Sequence, residues 1–153
     1  MISREDILRS QDKWASAIIG VGEAKDDYSK SKKLTAEFLN ALYDFKEGNV
    51  QFKPTKASKH QFRNDEASAI SYFIGKNKSF IEDYGFAMKP WKKIEFVNDS
   101  INIYEDIGIA MGNYFFTDYS GNKIRVEYSF VYLKKNNSVK IILHHSSLPY
   151  QLV

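Results

Sequence analysis

The chain contains no cysteine. It therefore offers no disulfide framework, no thiolate zinc site, no cysteine nucleophile and no thiol redox centre. No apolar run approaches the roughly 18 residues a membrane-spanning helix needs, so no membrane partner is expected. Charge of one sign is also scarce: 22 Lys and Arg against 19 Asp and Glu leave a net charge of +3. That is a weak bias beside the dense basic footprint of a nucleic-acid binder, and no nucleic-acid partner is expected. The small basic clusters, such as Lys30-Ser31-Lys32-Lys33 and Lys134-Lys135, read as solvated surface at turns and helix ends. Glycines are scattered, with no G-x-G-x-x-G or Walker loop to cradle a phosphate. The opening Met1-Ile2-Ser3-Arg4-Glu5-Asp6 is acidic where a secretory signal would be apolar, which points to a cytoplasmic protein. There is no internal repeat and no low-complexity linker.

What is present suits one domain over residues 1–153. Apolar residues make up 43% and charged residues 27%, and a chain of this length buries roughly two-thirds of its unfolded surface without a staple. The first half has helical spacing. Ile7, Gln11, Trp14, Ala15 and Ile18 form one stripe, capped by Ser3 and ended by Gly20 and Gly22. A second helix is predicted from about Asp27 to Phe45, with Gly48 as its stop. After Pro54, Ser58 and Gln61 have capping-box spacing, and Phe62, Glu66, Ile70 and Phe73 continue a third helix to Gly75.

The second half changes period. Segments 91–97, 100–104, 107–117, 123–133 and 138–147 are rich in β-branched and aromatic residues, with short turn sequences such as Asn98-Asp99 and Asn136-Asn137 between them. Short connections imply antiparallel neighbours. Three helices followed by such strands give an α+β fold.

Both faces of that sheet are unusually apolar. Tyr114, Phe116, Tyr128, Phe130 and Tyr132 share one face, while the other is interrupted by Asn113 and Glu127. If residues 118–122 form a five-residue loop, Asn113 and Glu127 stand opposite each other. Two readings of them stay open: a polar patch on a cavity floor able to orient a ligand or move a proton, or an edge-exposed glutamate or one paired structurally with Arg125 or Arg63. In His144-His145-Ser146-Ser147 adjacent side chains diverge, so only one histidine shares a face with Glu127 and no metal site is expected. Tyr72 and Trp91 are either the wall of a cavity or plain core. The doubly apolar sheet has two explanations: a second subunit over one face, hence the expected homo-oligomer, or a monomer in which some of these tyrosines reach solvent at their tips.

Residues 126–132, a polar turn, and Ile141-Ile142-Leu143-His144-His145-Ser146-Ser147-Leu148-Pro149 resemble the last hairpin of the nuclear transport factor 2-like superfamily. Within it they are most similar to the association domain of calcium/calmodulin-dependent protein kinase II and its stand-alone bacterial relatives. The resemblance implies a cystatin-like cone, in which three N-terminal helices pack in the concavity of a curved, mostly antiparallel sheet above a deep pocket. It also implies pairing through the outer sheet face, as a dimer or a ring of dimers. The association domain's central-strand arginine falls at Asn113, and the catalytic Asp and Tyr arrangement of the superfamily's ketosteroid isomerase is not clearly matched.

The resulting expectation is an oligomer that binds a small polar or aromatic molecule between helices and sheet, without a cofactor. Asn113, Glu127, His145 and Ser129 would supply polar contacts, and Tyr72 and Trp91 the wall. An alternative is a cofactor-independent isomerase, dehydratase or cyclase, with Glu127 or His145 as general base and Tyr72 or Asn113 polarising a carbonyl. A third reading is a pure oligomerisation module.

Overall fold

The computed structural model describes residues 1–152. Helix α1 is Arg4–Glu23. At its start the Ser3 amide donates to Asp6 Oδ2 at 2.9 Å and the Asp6 amide to Ser3 Oγ at 3.1 Å, a closed capping box. Ile7, Gln11, Trp14, Ile18 and Val21 form its buried stripe. The helix runs on through Gly20 and Gly22, where a stop was expected. Gly22 serves close approach instead, because a Cβ there would stand 2.8 Å from the Ala87 carbonyl oxygen.

Helix α2, Tyr28–Leu42, is capped by Asp27. It ends before Phe45 because Phe45–Glu47 tightens into a 3-10 turn closed by Gly48 at φ +69°. Helix α3, Glu66–Ile74, starts later than the capping-box spacing suggested, with Asp65 as its cap. The amides of Ser58, Lys59 and His60 all donate to the Glu82 carboxylate at 2.7 to 3.2 Å, which holds that stretch in a non-helical loop.

Five strands form one sheet in the order β1-β5-β4-β3-β2. Strand β1, Gln51–Lys53, pairs parallel with β5. Three residues abutting Pro54 carry too little alternation to be read from sequence. Strands β2, Trp91–Tyr104, β3, Ile107–Asp118, β4, Lys123–Lys135, and β5, Ser138–Ser147, pair antiparallel. Asn98-Asp99, expected as a turn between two strands, is a bulge within β2. There Asn98 and Gln11 exchange side-chain hydrogen bonds of 2.8 Å, and the Tyr128 hydroxyl donates to Asn98 Oδ1 at 2.6 Å. The helices lie in the concavity of this mostly antiparallel sheet, the α+β cone expected. Tyr114, Phe116, Tyr128, Phe130 and Tyr132 face the helices and are buried. The Trp14 ring stacks on Tyr114 at 5.6 Å and meets Phe96, Phe116 and Phe130 edge-on. Among the described residues, no helix is long and apolar enough to cross a membrane.

Asp6 ties α1 to β4: Lys134 Nζ donates to its Oδ2 at 2.9 Å. That hydrogen bond foremost, and the Ser3 amide with it, holds the carboxyl far below the ordinary 3.8. A depressed acid pKa contributes stability above the unfolded value and loses it as the pH falls below it. Asp6→Asn should therefore lower stability at neutral pH and flatten the acid limb of a urea-denaturation series below about pH 4.

Candidate active site

A small space lies between the inner sheet face, α1, α3 and the loop after β1. Trp14, Phe52, Phe73, Phe86 and Phe116 supply its apolar lining, and Thr55, Tyr72, Tyr114, His144 and Ser146 its polar groups. No charged side chain lines it. The room open to the centre of a water-sized sphere is about 10 Å3, close to the minimum that holds one water molecule. A ring-sized ligand does not fit without rearrangement.

Its polar groups form a continuous chain. The Trp14 indole N–H donates to the Tyr43 hydroxyl at 3.0 Å, and that hydroxyl lies 2.8 Å from His144 Nδ1. His144 Nε2 is 3.0 Å from the Tyr114 hydroxyl, which donates to Ser146 Oγ at 2.5 Å. Ser146 Oγ meets Thr55 Oγ1 at 2.5 Å. The Tyr72 hydroxyl accepts the Lys56 amide at 3.2 Å. Thr55 is half-buried while Tyr72, Tyr114, His144 and Ser146 are buried, so Thr55 stands at the mouth.

Burial governs the electrostatics. It pushes the Tyr43, Tyr72 and Tyr114 phenols far above 10, with hydrogen bonding to Trp14, the Lys56 amide and Ser146 respectively offsetting part of the rise. All three are neutral hydroxyls near neutral pH. His144 stacks between Phe52 at 4.8 Å and Phe130 at 4.1 Å. Burial, and secondarily the nearby His145, holds the imidazole well below 6.5, so it too is neutral.

Local structure sets these positions. A bulge opposite Val131 and Tyr132 shifts the β4–β5 register, so that Phe130 pairs with His144 and Tyr128 with Ser146. Without that shift His145 would share the aromatic face with Tyr128. Thr55 sits on a loop held by Arg63, whose buried guanidinium pairs with Asp83 at 2.7 and 2.8 Å and donates to the carbonyls of His60 and Ser68.

Comparison with known proteins identifies the family. Residues 5–148 match the family described as metal-independent carbonic anhydrase. The chain belongs to the metal-independent carbonic anhydrase family. A curated member from Nostoc sp. strain PCC 7120, a metal-independent carbonic anhydrase, is 36% identical over 98% of this chain and 75% of its own length. The crystal structure of a cyanobacterial iota-carbonic anhydrase complexed with bicarbonate superposes with a TM-score of 0.95 at 35% identity, covering 99% of this chain and 94% of that one. A Xanthomonas campestris protein described as a calcium/calmodulin-dependent protein kinase II association domain gives a TM-score of 0.65 at 19% identity, over 99% of this chain and 91% of its own, a likeness of fold. The resemblance read from the last hairpin is thus shown, within the nuclear transport factor 2-like fold.

In this carbonic anhydrase family member, the residues expected at the site divide between the two sheet faces. Tyr72 lines the cavity. Trp91 is buried behind it, packed on Phe86 and Phe116, with its indole N–H donating to the Phe86 carbonyl at 2.9 Å. Asn113 does stand opposite Glu127, and Ser129 opposite His145. All four lie on the outer face, in an open basin with Met111 and Ser147, where the Ser147 hydroxyl donates to Glu127 Oε1 at 3.2 Å. Placing Asn113, Glu127, Ser129 and His145 on a cavity floor is therefore corrected: strand alternation turns them away from the helices. Among the described residues, no three His, Cys, Asp or Glu side chains form a metal-holding group. Thr55, Tyr114, Ser146 and Trp14, which were not expected at the cavity, line it, and of the two histidines it is His144 that does so. The available signal was the aromatic face itself, whose tyrosine hydroxyls need buried partners.

The neutral burial of His144 has a consequence for stability. A base whose folded pKa is depressed contributes stability above the unfolded value, and loses it as the pH falls below about 6.5 toward the folded value. Urea denaturation should show a loss of up to about 1.4 kcal/mol per pH unit over that window. The loss should be absent in His144→Phe.

Proposed function

We propose that this chain interconverts carbon dioxide and bicarbonate in the inner cavity, without a metal. The observation that carries the reading is the uncharged space edged by the hydroxyls of Thr55, Tyr72 and Ser146, whose side chains part to admit carbon dioxide beside the one water the cavity has room for. It is supported by the family match and by a related structure complexed with bicarbonate. The aromatic walls accept apolar carbon dioxide. A water held by the hydroxyls attacks its carbon, one C–O bond forms, and a C=O electron pair becomes a carboxylate lone pair. The proton that the water loses leaves past Thr55 to solvent. The hydroxyls donate to the oxygen on which charge develops, and in a dry site fixed donors stabilise that charge strongly. The ammonium of Lys53, which donates to the Pro54 carbonyl at 3.0 Å, adds positive charge beside the mouth.

Stopped-flow carbon dioxide hydration on chelator-dialysed protein tests this. Activity is expected to persist after chelation and to fall roughly a hundredfold in Thr55→Val and Ser146→Ala, but to be retained in Glu127→Gln. Loss in Glu127→Gln with retention in Ser146→Ala would return the chemistry to the outer basin.

The outer face favours a second proposal, a dimer. Val97 and Met111 are 55% and 53% exposed there, beside Ile109, a run of apolar surface that a second copy of the sheet would cover. Sedimentation velocity should show a two-chain species that Met111→Glu converts to one chain. A single-chain wild type would contradict the proposal.

A further inference from the structure

Resting on the cavity as the place of reaction, we infer that Trp14 and Tyr43 are positioning residues that hold His144 as its Nε2–H tautomer and give the hydrogen-bond chain one direction. The inference follows from counting protons. An indole N–H only donates, so the Tyr43 oxygen accepts from Trp14. Tyr43 is 1% exposed, and its other side-chain partner is His144 Nδ1. If Nδ1 carried a proton, Tyr43 would receive two N–H groups and its own O–H would be buried without an acceptor. Buried polar hydrogens are rarely left so. The Tyr43 proton therefore goes to Nδ1, and the imidazole's single proton sits on Nε2.

The direction then propagates. Nε2–H donates to the Tyr114 oxygen, and the Tyr114 proton is committed to Ser146 Oγ. Ser146 and Thr55 share one hydrogen bond between them and hold two hydroxyl protons. One of those protons is used in that bond, and the other is free for the cavity. The chain thus ends in an O–H donor, whichever way the last link points. The links from Trp14 to Ser146 are buried among aromatic rings, where successive hydrogen bonds polarise one another.

The chemical consequence separates two roles for the histidine. With its proton on Nε2, His144 has no lone pair toward Tyr114 and cannot draw a proton out of a bound water through that phenol. It acts as a positioning residue, strengthening the one O–H donor at the end of the chain that faces bicarbonate oxygen. The general-base role is excluded by the indole on the far side of Tyr43, at the other end of the chain.

Nitrogen-15 imidazole spectra of the full, ligand-free chain test this independently of catalysis. His144 should show a bare Nδ1 and a protonated Nε2, unchanged between weakly acidic and weakly alkaline pH. Tyr43→Phe, which removes the donor to Nδ1, and Trp14→Phe, which frees the Tyr43 oxygen, should each populate the Nδ1–H tautomer. Each should also lower kcat about tenfold at unchanged KM. A wild type with Nδ1–H or a doubly protonated ring would overturn the inference. So would tautomer populations unchanged in both folded variants. If either variant fails to fold, the wild-type spectrum still decides. An Nε2–H wild type without carbon dioxide hydration would leave the chain's direction intact and remove the proposed function alone.

Discussion

The imidazole of His144 lies face to face with Phe52 and Phe130, and neither ring can stabilise a charge by solvation. That constraint orders the inside of the cone. A neutral imidazole in such a place still has one donor and one acceptor to satisfy. Tyr43 meets it from the end of α2 and Tyr114 from β3, and the demand passes outward to Trp14 and to Ser146. The aromatic core is therefore built around a polar thread. Trp14 serves both, stacking its ring on Tyr114 while its N–H sets one end of the thread.

The cavity closes only where a second frame meets the first. The sheet carries Tyr114, His144 and Ser146, whereas Thr55 comes from the loop after β1 and Tyr72 from α3. Arg63 joins these pieces. Its guanidinium is fully buried, pairs with Asp83, and holds carbonyls of the loop and of α3. Ser71 donates to the same Asp83 carboxylate at 2.6 Å, and Glu82 collects three loop amides. Buried ion pairs of this kind add little net stability, and breaking one partner is strongly destabilising. Here the pair's consequence is geometric: it brings the Thr55 hydroxyl to Ser146 instead of leaving an irregular loop to wander.

The architecture was largely legible in the sequence because periodicity reports burial. The stripe of α1, the aromatic face of β3 and β4, and the opposition of Asn113 and Glu127 all follow from spacing. Elements set by particular contacts were not. The late start of α3 depends on Glu82, some twenty residues downstream, and the continuity of β2 through Asn98 depends on Gln11 in α1. The site misled for a related reason. Polar residues interrupting an apolar strand marked the outer basin, while the inner polar groups were hidden in tyrosines that also count as core. A one-residue bulge in β5 decides that His144 faces inward, and no local pattern encodes that register.

The two sheet faces thus differ in chemistry: the inner one lines an uncharged cavity with hydroxyls, and the outer one presents an apolar surface with Glu127 and His145 at its rim. The most direct test of that division is the position of bicarbonate in crystals of this chain soaked with it. The account predicts bicarbonate in the inner cavity, its oxygens within hydrogen-bond distance of Thr55 Oγ1 and Ser146 Oγ. Bicarbonate held instead against Asn113, Glu127 and His145 on the outer face, with the cavity unoccupied, would contradict it.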